Sequence, residues 1–243
     1  MKLFKKVLVG MAVAASMATS AFASPINVGG VTWDPDHPLD FSAASVSIRQ
    51  FIAGDGSISG FGTINTINGS AVACAGCELT FQFGGYTQVG LTLPSPSGGT
   101  TFSSGGFVNV FVHGVNALNA NAFTMSAAST GLQGGALWLS LAGHANIFGN
   151  TFAGTVNVDP FTLLVSSLLG GGLLEVTGGV AAGNFYTNAQ VDGADLAIST
   201  SFTTFLGAGP LPSFYDSIGT GNFKGNSIPE PGSLALLGLG LIG

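Results

Sequence analysis

The sequence predicts an all-β fold: a single antiparallel β-sandwich or barrel-like domain of about nine or ten strands. Val, Ile, Phe and Thr occur in short runs in which apolar and polar residues alternate, the pattern of a half-buried strand. Charged residues make up only 7% of the 243 residues, so few Lys and Glu side chains are available for helix surfaces. The 39 glycines follow no fixed period, which argues against collagen and against a short-repeat solenoid.

The clearest alternation places Leu79, Phe81 and Phe83 on one face of a strand. We expect this strand to stop at the Gly-Gly pair that follows and to form a hairpin with a second strand at residues 88–93. The run 107–112 has bulky residues on both faces, which is typical of a strand covered on both sides. Further strands are predicted at residues 46–52, 137–141, 154–158, 161–166, 173–177 and 196–205.

The run 161–183 is apolar enough to suggest a membrane segment, but three consecutive glycines at 170–172 and Glu175 interrupt it. We interpret it as two core strands separated by the glycines.

The N-terminus has the three parts of a secretory signal peptide. Three lysines lie within the first six residues, residues 7–18 are apolar, and residues 21–23 form a small-x-small cleavage site. The sequence therefore predicts a signal peptide at residues 1–23, with cleavage between Ala23 and Ser24. The β-rich body domain is then predicted to span residues 24–226.

Loss of the signal peptide leaves a strongly acidic chain. Only Arg49 and Lys224 remain against eleven Asp and Glu residues, so the net charge is −9. No basic patch is available to neutralise phosphates, and nucleic acid is excluded as a predicted partner.

The C-terminal segment 227–243 joins a rigid turn to an apolar run. Pro229 and Pro231 restrict the backbone on both sides of Glu230, and from residue 234 onward every residue is Leu, Ala, Ile or Gly. This segment resembles the PEP-CTERM protein-sorting signal, which is also labelled an ice-binding protein C-terminal domain. The resemblance implies export from a Gram-negative bacterium, processing near the Pro-Glu-Pro turn by an exosortase-type enzyme, and association with the cell surface or an extracellular polysaccharide matrix.

The segment departs from the family pattern, which continues through a full membrane span to an Arg/Lys cluster. Residues 234–243 would cover about half of a ~30 Å hydrocarbon core. We therefore expect either that the sequence is truncated here, which we favour, or that this copy has lost its anchor; the membrane contact of the tag is then transient.

Cys74 and Cys77 are an even pair, which in an exported chain predicts a disulfide. A redox motif would place the first thiol at a helix N-terminus, whereas a strand follows here. We interpret the pair as a structural staple, and zinc binding as the weaker alternative.

Two acidic stretches are weak metal candidates. Asp34, Asp36 and their neighbours His37 and Asp40 could converge on a cation, or could form a plain acidic loop. Asp192 and Asp195 precede a strand, so we expect turn capping rather than calcium binding. No cofactor is predicted.

No nucleophile elbow, zinc-protease motif or phosphate-binding loop occurs in the sequence. His113 and His144 both adjoin apolar strands, and we interpret both as structural. The sequence predicts a non-catalytic secreted or surface protein. The alternative is a carbohydrate-binding or adhesive module in which Trp33, Trp138 and Tyr86 stack on sugars, unless these rings belong to the core, as the leucines around Trp138 indicate for that residue. Ice binding is weaker still, because the threonines lack regular spacing.

Overall fold

Thirteen β-strands form the fold in the part of the chain that the structure describes. The computed structural model describes residues 23–95, 98–119, 126, 130–132, 134–159, 161, 165–204 and 217–228. The strands are β1 (Ile26–Val28), β2 (Val31–Trp33), β3 (Phe41–Ile52), β4 (Ile58–Ile64), β5 (Thr66–Ile67), β6 (Ser70–Ala71), β7 (Cys77–Ser95), β8 (Gly98–Gly114), β9 (Ala136–His144), β10 (Phe152–Val158), β11 (Val165–Gly178), β12 (Leu196–Thr204) and β13 (Ser217–Gly225). The all-β prediction is confirmed.

Eight strand positions form the wall of a closed antiparallel barrel. Barrel strands that follow one another along the chain also pair with one another. The order is β3, β4, β7, β8, β10, β11, β12 and β13, and β13 pairs back with β3 to close the ring. Strand β9 pairs with both β8 and β11, as β10 does further along the same two strands. Strands β9 and β10 therefore share one wall position. Closure leaves no free sheet edge between the first and last barrel strands.

Two sequence-based boundaries are wrong. Residues 79–93 do not form a hairpin, because β7 runs on without a turn and pairs with β8 along its length. Gly85 has a φ of 71°, a conformation that glycine adopts without strain, so the glycine pair bends the strand and does not end it. Likewise Gly170 lies inside the continuous strand β11, which replaces the two predicted strands. The predicted strand 161–166 and the end of 196–205 lie partly outside the described residues.

The lower end of the barrel, which carries the β1–β2 hairpin, is filled by aromatic side chains. Trp33 from the hairpin lies 5.4 Å from Phe185 and 5.8 Å from Trp138, measured between ring centroids. Phe41 lies 4.6 Å from Phe185. The indole N–H of Trp138 donates to the carbonyl of Val28 at 2.9 Å, which fixes the hairpin against the barrel. These rings close the lower end.

A second, smaller apolar cluster lies on the outer face of the wall. Phe61 and Leu132 are buried there, with Phe51, Phe111 and Leu118 packed against them. Because the next residues along β8 face the main core, this strand is covered on both sides, as its composition predicts.

Candidate functional site

The upper half of the barrel, towards Ser95 and Gly98, contains a partly open cavity of about 670 Å³. This volume lies within the range of ~300–1,000 Å³ that is usual for small-molecule sites. Its walls are mostly apolar and include Ile48, Phe81, Phe83, Phe152, Ile198 and Phe202. None of the described residues that line it carries a charged side chain. The aromatic cluster of the lower end and the ring of Phe223 lie beneath it.

Glycines on the inner face of the wall make room for this cavity. Five rings that line the cavity lie against glycines of neighbouring strands, where an added Cβ would come closer than 3.0 Å to the ring. The pairs are Phe83 with Gly60, Phe81 with Gly62, Tyr86 with Gly106, Phe152 with Gly170, and Phe202 with Gly219. A ring that lies flat over a glycine covers the wall without filling the lumen. The arrangement keeps an apolar lining and an open interior at once.

Three polar side chains of the lining bear on its chemistry. The side-chain carbonyl of Gln50 accepts a hydrogen bond from the hydroxyl of Ser217 at 2.9 Å. The amide of Gln88 donates to the hydroxyl of Thr101 at 3.2 Å. Tyr86 is only 5% exposed and packs edge-on against Phe152. Burial raises the pKa of the Tyr86 phenol to about 12, so the cavity holds a neutral O–H group at ordinary pH.

The start of the sorting tag, which we define as residues 227–243, is held at the lower end. The carboxylate of Asp40 accepts hydrogen bonds from both the backbone N–H and the hydroxyl of Ser227. The indole of Trp33 donates to the same hydroxyl at 3.1 Å. Ile228 exchanges two hydrogen bonds with Asn184. Pro229, Glu230 and Pro231 lie outside the described residues, as do residues 1–22 of the predicted signal peptide.

Side chains of the N-terminal acidic loop accept hydrogen bonds from nearby backbone N–H groups. Asp34 accepts from the backbone N–H of Asp36 at 3.0 Å, and Asp36 accepts from the backbone N–H of Ala23. His37 accepts from the N–H of Leu39 at 3.2 Å. Within the described part of the chain, no three His, Cys, Asp or Glu side chains lie together as metal ligands would.

Asp195 is a buried carboxylate with backbone partners. It is 0% exposed, and its two oxygens accept from the N–H groups of Val176, Thr187 and Asn188 at 2.9, 2.7 and 2.9 Å. Asp192 is exposed in the preceding turn. The carboxylate of Asp195 is thus used to hold a loop to the barrel wall.

The cysteines and histidines also have structural surroundings. Cys74 and Cys77 are joined in a disulfide, with a Cα–Cα distance of 5.4 Å, where the chain enters β7.

The Nδ1 atom of His144 lies 2.8 Å from a carboxylate oxygen of Glu175. Burial lowers the pKa of His113, and the negative charge of Glu78 opposes that shift in part. Glu78 itself accepts hydrogen bonds from the N–H groups of Ala117 and Leu118.

The three rings considered for sugar stacking are buried, which agrees with the core interpretation of these residues and leaves them no part in binding sugar on the outer surface. Trp33 is 3% and Trp138 1% exposed, and both belong to the lower aromatic cluster. Tyr86 lines the cavity instead of the outer surface. Sugars need exposed ring faces on which to stack, and these three rings have none.

Sequence reasoning missed the cavity and with it the role of Gln50, Tyr86 and the inner glycines. The only signal lay in glycines two residues apart, such as Gly60 and Gly62, which one face of a strand would share.

Comparison with known proteins places the chain in a class by its tag alone. The family model of the PEP-CTERM protein-sorting motif matches residues 227–243, so the chain carries the sorting signal of an exosortase-targeted exported protein. No curated protein and no solved structure matches the chain. Among the described residues, no helix has the length and apolar character needed to cross a membrane.

Proposed function

We propose that this protein is a non-catalytic protein of the Gram-negative cell surface or extracellular polysaccharide matrix, released from its tag by an exosortase-type enzyme near Pro229. The observation that carries the proposal is the position of the sorting motif. It begins at Ser227, and Ser227 and Ile228, the last two residues that the structure describes, are both hydrogen-bonded to the rest of the body.

The barrel does not depend on the tag for its closure. Strand β13 ends at Gly225, and its pairing with β3 is complete before Ser227. Ser227 and Ile228 are then bound by Asp40 and Asn184. Cleavage beyond Ile228 would leave the eight wall positions and these contacts in place, which is what a removable sorting segment requires.

The proposal of a non-catalytic role rests on the chemistry of the cavity. General acid–base catalysis needs titratable groups that face a substrate, and nucleophilic catalysis needs a nucleophile next to a base. Among the described lining residues Tyr86 is the one ionisable group, and its raised pKa makes it a poor base at neutral pH. The buried Asp195 is occupied by backbone donors.

Matrix association is supported by the outer face of the wall. Ser199, Ser201 and Thr203 project outward from β12 and are exposed, as is Thr220 on the paired strand. Hydroxyl groups can exchange hydrogen bonds with polysaccharide without the charge pairing that nucleic acid or anionic lipid would need. Within the described ranges, the large exposed aromatic residues, among them Phe148 and Phe161, lie in separate loops and form no row on a strand.

The test measures two things in the same cells: whether the tag is removed, and in which fraction the protein is found. In a host with an active exosortase, wild-type protein should be found in the polysaccharide fraction, with no peptide from residues 234–243 detected by mass spectrometry. The double substitution Pro229→Ala and Pro231→Ala should block processing, whereas Pro38→Ala in the exposed N-terminal loop serves as the matched control. Recovery of an intact C-terminus on the wild-type protein would contradict the proposal. So would turnover of glycosides or esters by the purified protein.

A further inference from the structure

We propose that the upper cavity binds a neutral, largely apolar molecule that carries one hydrogen-bond acceptor, such as a long-chain ester. This binding activity is separate from the sorting and surface role proposed above. It rests on the volume of the cavity, on the absence of charge from its described lining, and on two buried donors that face it.

The cavity results from the residues that form the barrel wall and not from imperfect packing of the core. An apolar void deprives its lining of dispersion contacts, and a core that merely filled space would place large side chains there. The opposite occurs at Gly60, Gly170 and Gly219, where the wall has no side chain and a neighbouring ring occupies part of the space that one would take. An eight-stranded barrel of this kind is wide enough to hold one small ligand.

The chemistry of the lining requires a neutral occupant. A carboxylate or phosphate moved into an apolar interior needs a cation or several donors to offset its lost hydration. The described lining offers no Lys, Arg or His for such a group. The adjacent Arg49 is not part of the lining, which continues on either side of it with Ile48 and Gln50. Free fatty acids and phospholipid headgroups are therefore poor occupants.

Two buried donors call for an acceptor on the ligand. Tyr86 lines the cavity, and the structure gives its phenol no hydrogen-bond partner among the described residues. Gln50 is 3% exposed, and its carbonyl is already engaged by Ser217, so its N–H donors remain for a ligand. Buried donors are normally satisfied, and a carbonyl or ester oxygen in the cavity would satisfy these.

The route into the cavity follows from what closes the barrel. Trp33, Phe41 and Trp138 fill the lower end, and the tag leaves the barrel there. Leu91 and Leu169 line the cavity and are half exposed on the upper part of the wall. On the described residues, the ligand therefore enters at the end of the barrel opposite Ser227 and Ile228, where the tag begins.

The first experiment compares three ligands of equal chain length by displacement of the neutral fluorescent probe N-phenyl-1-naphthylamine from the purified protein. Methyl laurate should displace the probe best, because it is neutral and carries an acceptor. Dodecane should bind about tenfold more weakly, for the loss of one or two hydrogen bonds. Laurate at neutral pH should be weaker still. Equal binding of laurate and its methyl ester would overturn the assignment of a neutral ligand.

The second experiment uses variants. Ile198→Trp adds bulk inside the cavity and should abolish probe binding, whereas Ser199→Trp adds the same side chain to the exposed face of the same strand and should not. Tyr86→Phe should weaken methyl laurate by about fivefold to tenfold and leave dodecane unchanged. Folding of each variant is checked by circular dichroism and by its denaturation midpoint.

Several outcomes would overturn the proposal. They are no binding of any neutral ligand, equal losses in the two tryptophan variants, or equal effects of Tyr86→Phe on ester and alkane. Probe binding that appears only after cleavage beyond Ile228 would identify residues 229–243 as the occupant instead. Sorting and surface location are measured separately, so failure here leaves the proposed function standing.

Discussion

The ring of Phe152 lies over Gly170 on the neighbouring strand, in the space that a side chain at position 170 would occupy. The next inward-facing residue of β11, Gly172, pairs directly with Phe152 and has the same ring beside it. The phenyl ring thus lies along β11 and not across the lumen. The same relationship recurs around the barrel, so that its aromatic residues line the cavity without closing it.

We expect Gly170→Ala to lower the free energy of unfolding by about 1–3 kcal/mol, because the new methyl group forces the Phe152 ring out of its place. Urea denaturation measures the change. At Gly170 the atoms closer than 3.0 Å to an added Cβ all belong to the Phe152 ring. The double variant with Phe152→Leu should therefore recover part of the loss, as a double-mutant cycle would show.

Gly54→Ala is the control for this substitution, because nothing lies within 4 Å of a Cβ added there. It should change stability by no more than about 0.5 kcal/mol. Equal effects at the two glycines would contradict the packing argument.

The phenol of Tyr86 gives a second prediction. Its hydroxyl has no hydrogen-bond partner to lose among the described residues and is not one of their fully buried unpaired atoms, so Tyr86→Phe should change the free energy of unfolding of the ligand-free protein by no more than about 0.5 kcal/mol. A larger loss of stability would show that the hydroxyl has a partner within the protein.

The raised pKa of Tyr86 also predicts a pH dependence. The unfolded chain loses the phenolic proton near its ordinary value of 10.0, whereas the folded protein keeps it until about 12. Stability should therefore fall as the pH rises through this window, by at most about 1.4 kcal/mol per pH unit from this residue. The Tyr86→Phe variant should lack that contribution, and identical slopes in the two proteins would contradict the assignment.

Asp195→Asn should destabilise the protein by about 2–3 kcal/mol. The amide would present a donor to one of the backbone N–H groups of Val176, Thr187 and Asn188, and a buried donor would lose its acceptor. Asp192→Asn, the same change three residues away on an exposed turn, is the control and should have little effect. Chemical denaturation of both variants, with and without Ca²⁺, separates this role from metal binding, because we expect calcium to shift neither midpoint.

The lowered pKa of His113 predicts that the protein loses stability in mild acid. Burial lowers its pKa below the ordinary value of 6.5, although Glu78 opposes the shift. The unfolded chain therefore takes up the proton first, and the contribution of His113 to stability is present above 6.5 and is lost as the pH falls through the folded-state pKa. The neutral variant His113→Gln should show a shallower decline in denaturation midpoint over that range. A variant as acid-sensitive as the wild type would point to other groups.

How far the sequence could predict this fold depended on which side chains face inward. Where inward residues are large, as with Leu79, Phe81 and Phe83, period-2 alternation located the strands and the all-β class correctly. Where the inward residues are glycines, as with Gly60 and Gly219, the pattern resembles a turn, and strands β4 and β13 were missed.

The candidate site could not be predicted because it depends on contacts between distant segments. The pairing of Ser217 with Gln50 closes the barrel across 167 positions of sequence, and no local pattern reports it. A ring can be matched with its glycine only once strand register is known. The sorting motif, in contrast, is contiguous, so the sequence alone was enough to identify it.

The last prediction concerns Asp40, which holds the point where the tag leaves the barrel. Asp40→Ala removes the acceptor for both the N–H and the hydroxyl of Ser227 and should let the end of β13 open more often. After signal-peptide removal the chain contains only two trypsin sites, Arg49 and Lys224, and Lys224 lies in β13 next to this contact. We expect trypsin to cut after Lys224 about tenfold faster in the variant. Asp55→Ala, in the exposed turn between β3 and β4, is the control and should leave the rate at Lys224 unchanged. If the two variants are cut at the same rate, the carboxylate of Asp40 does not secure the exit of the tag.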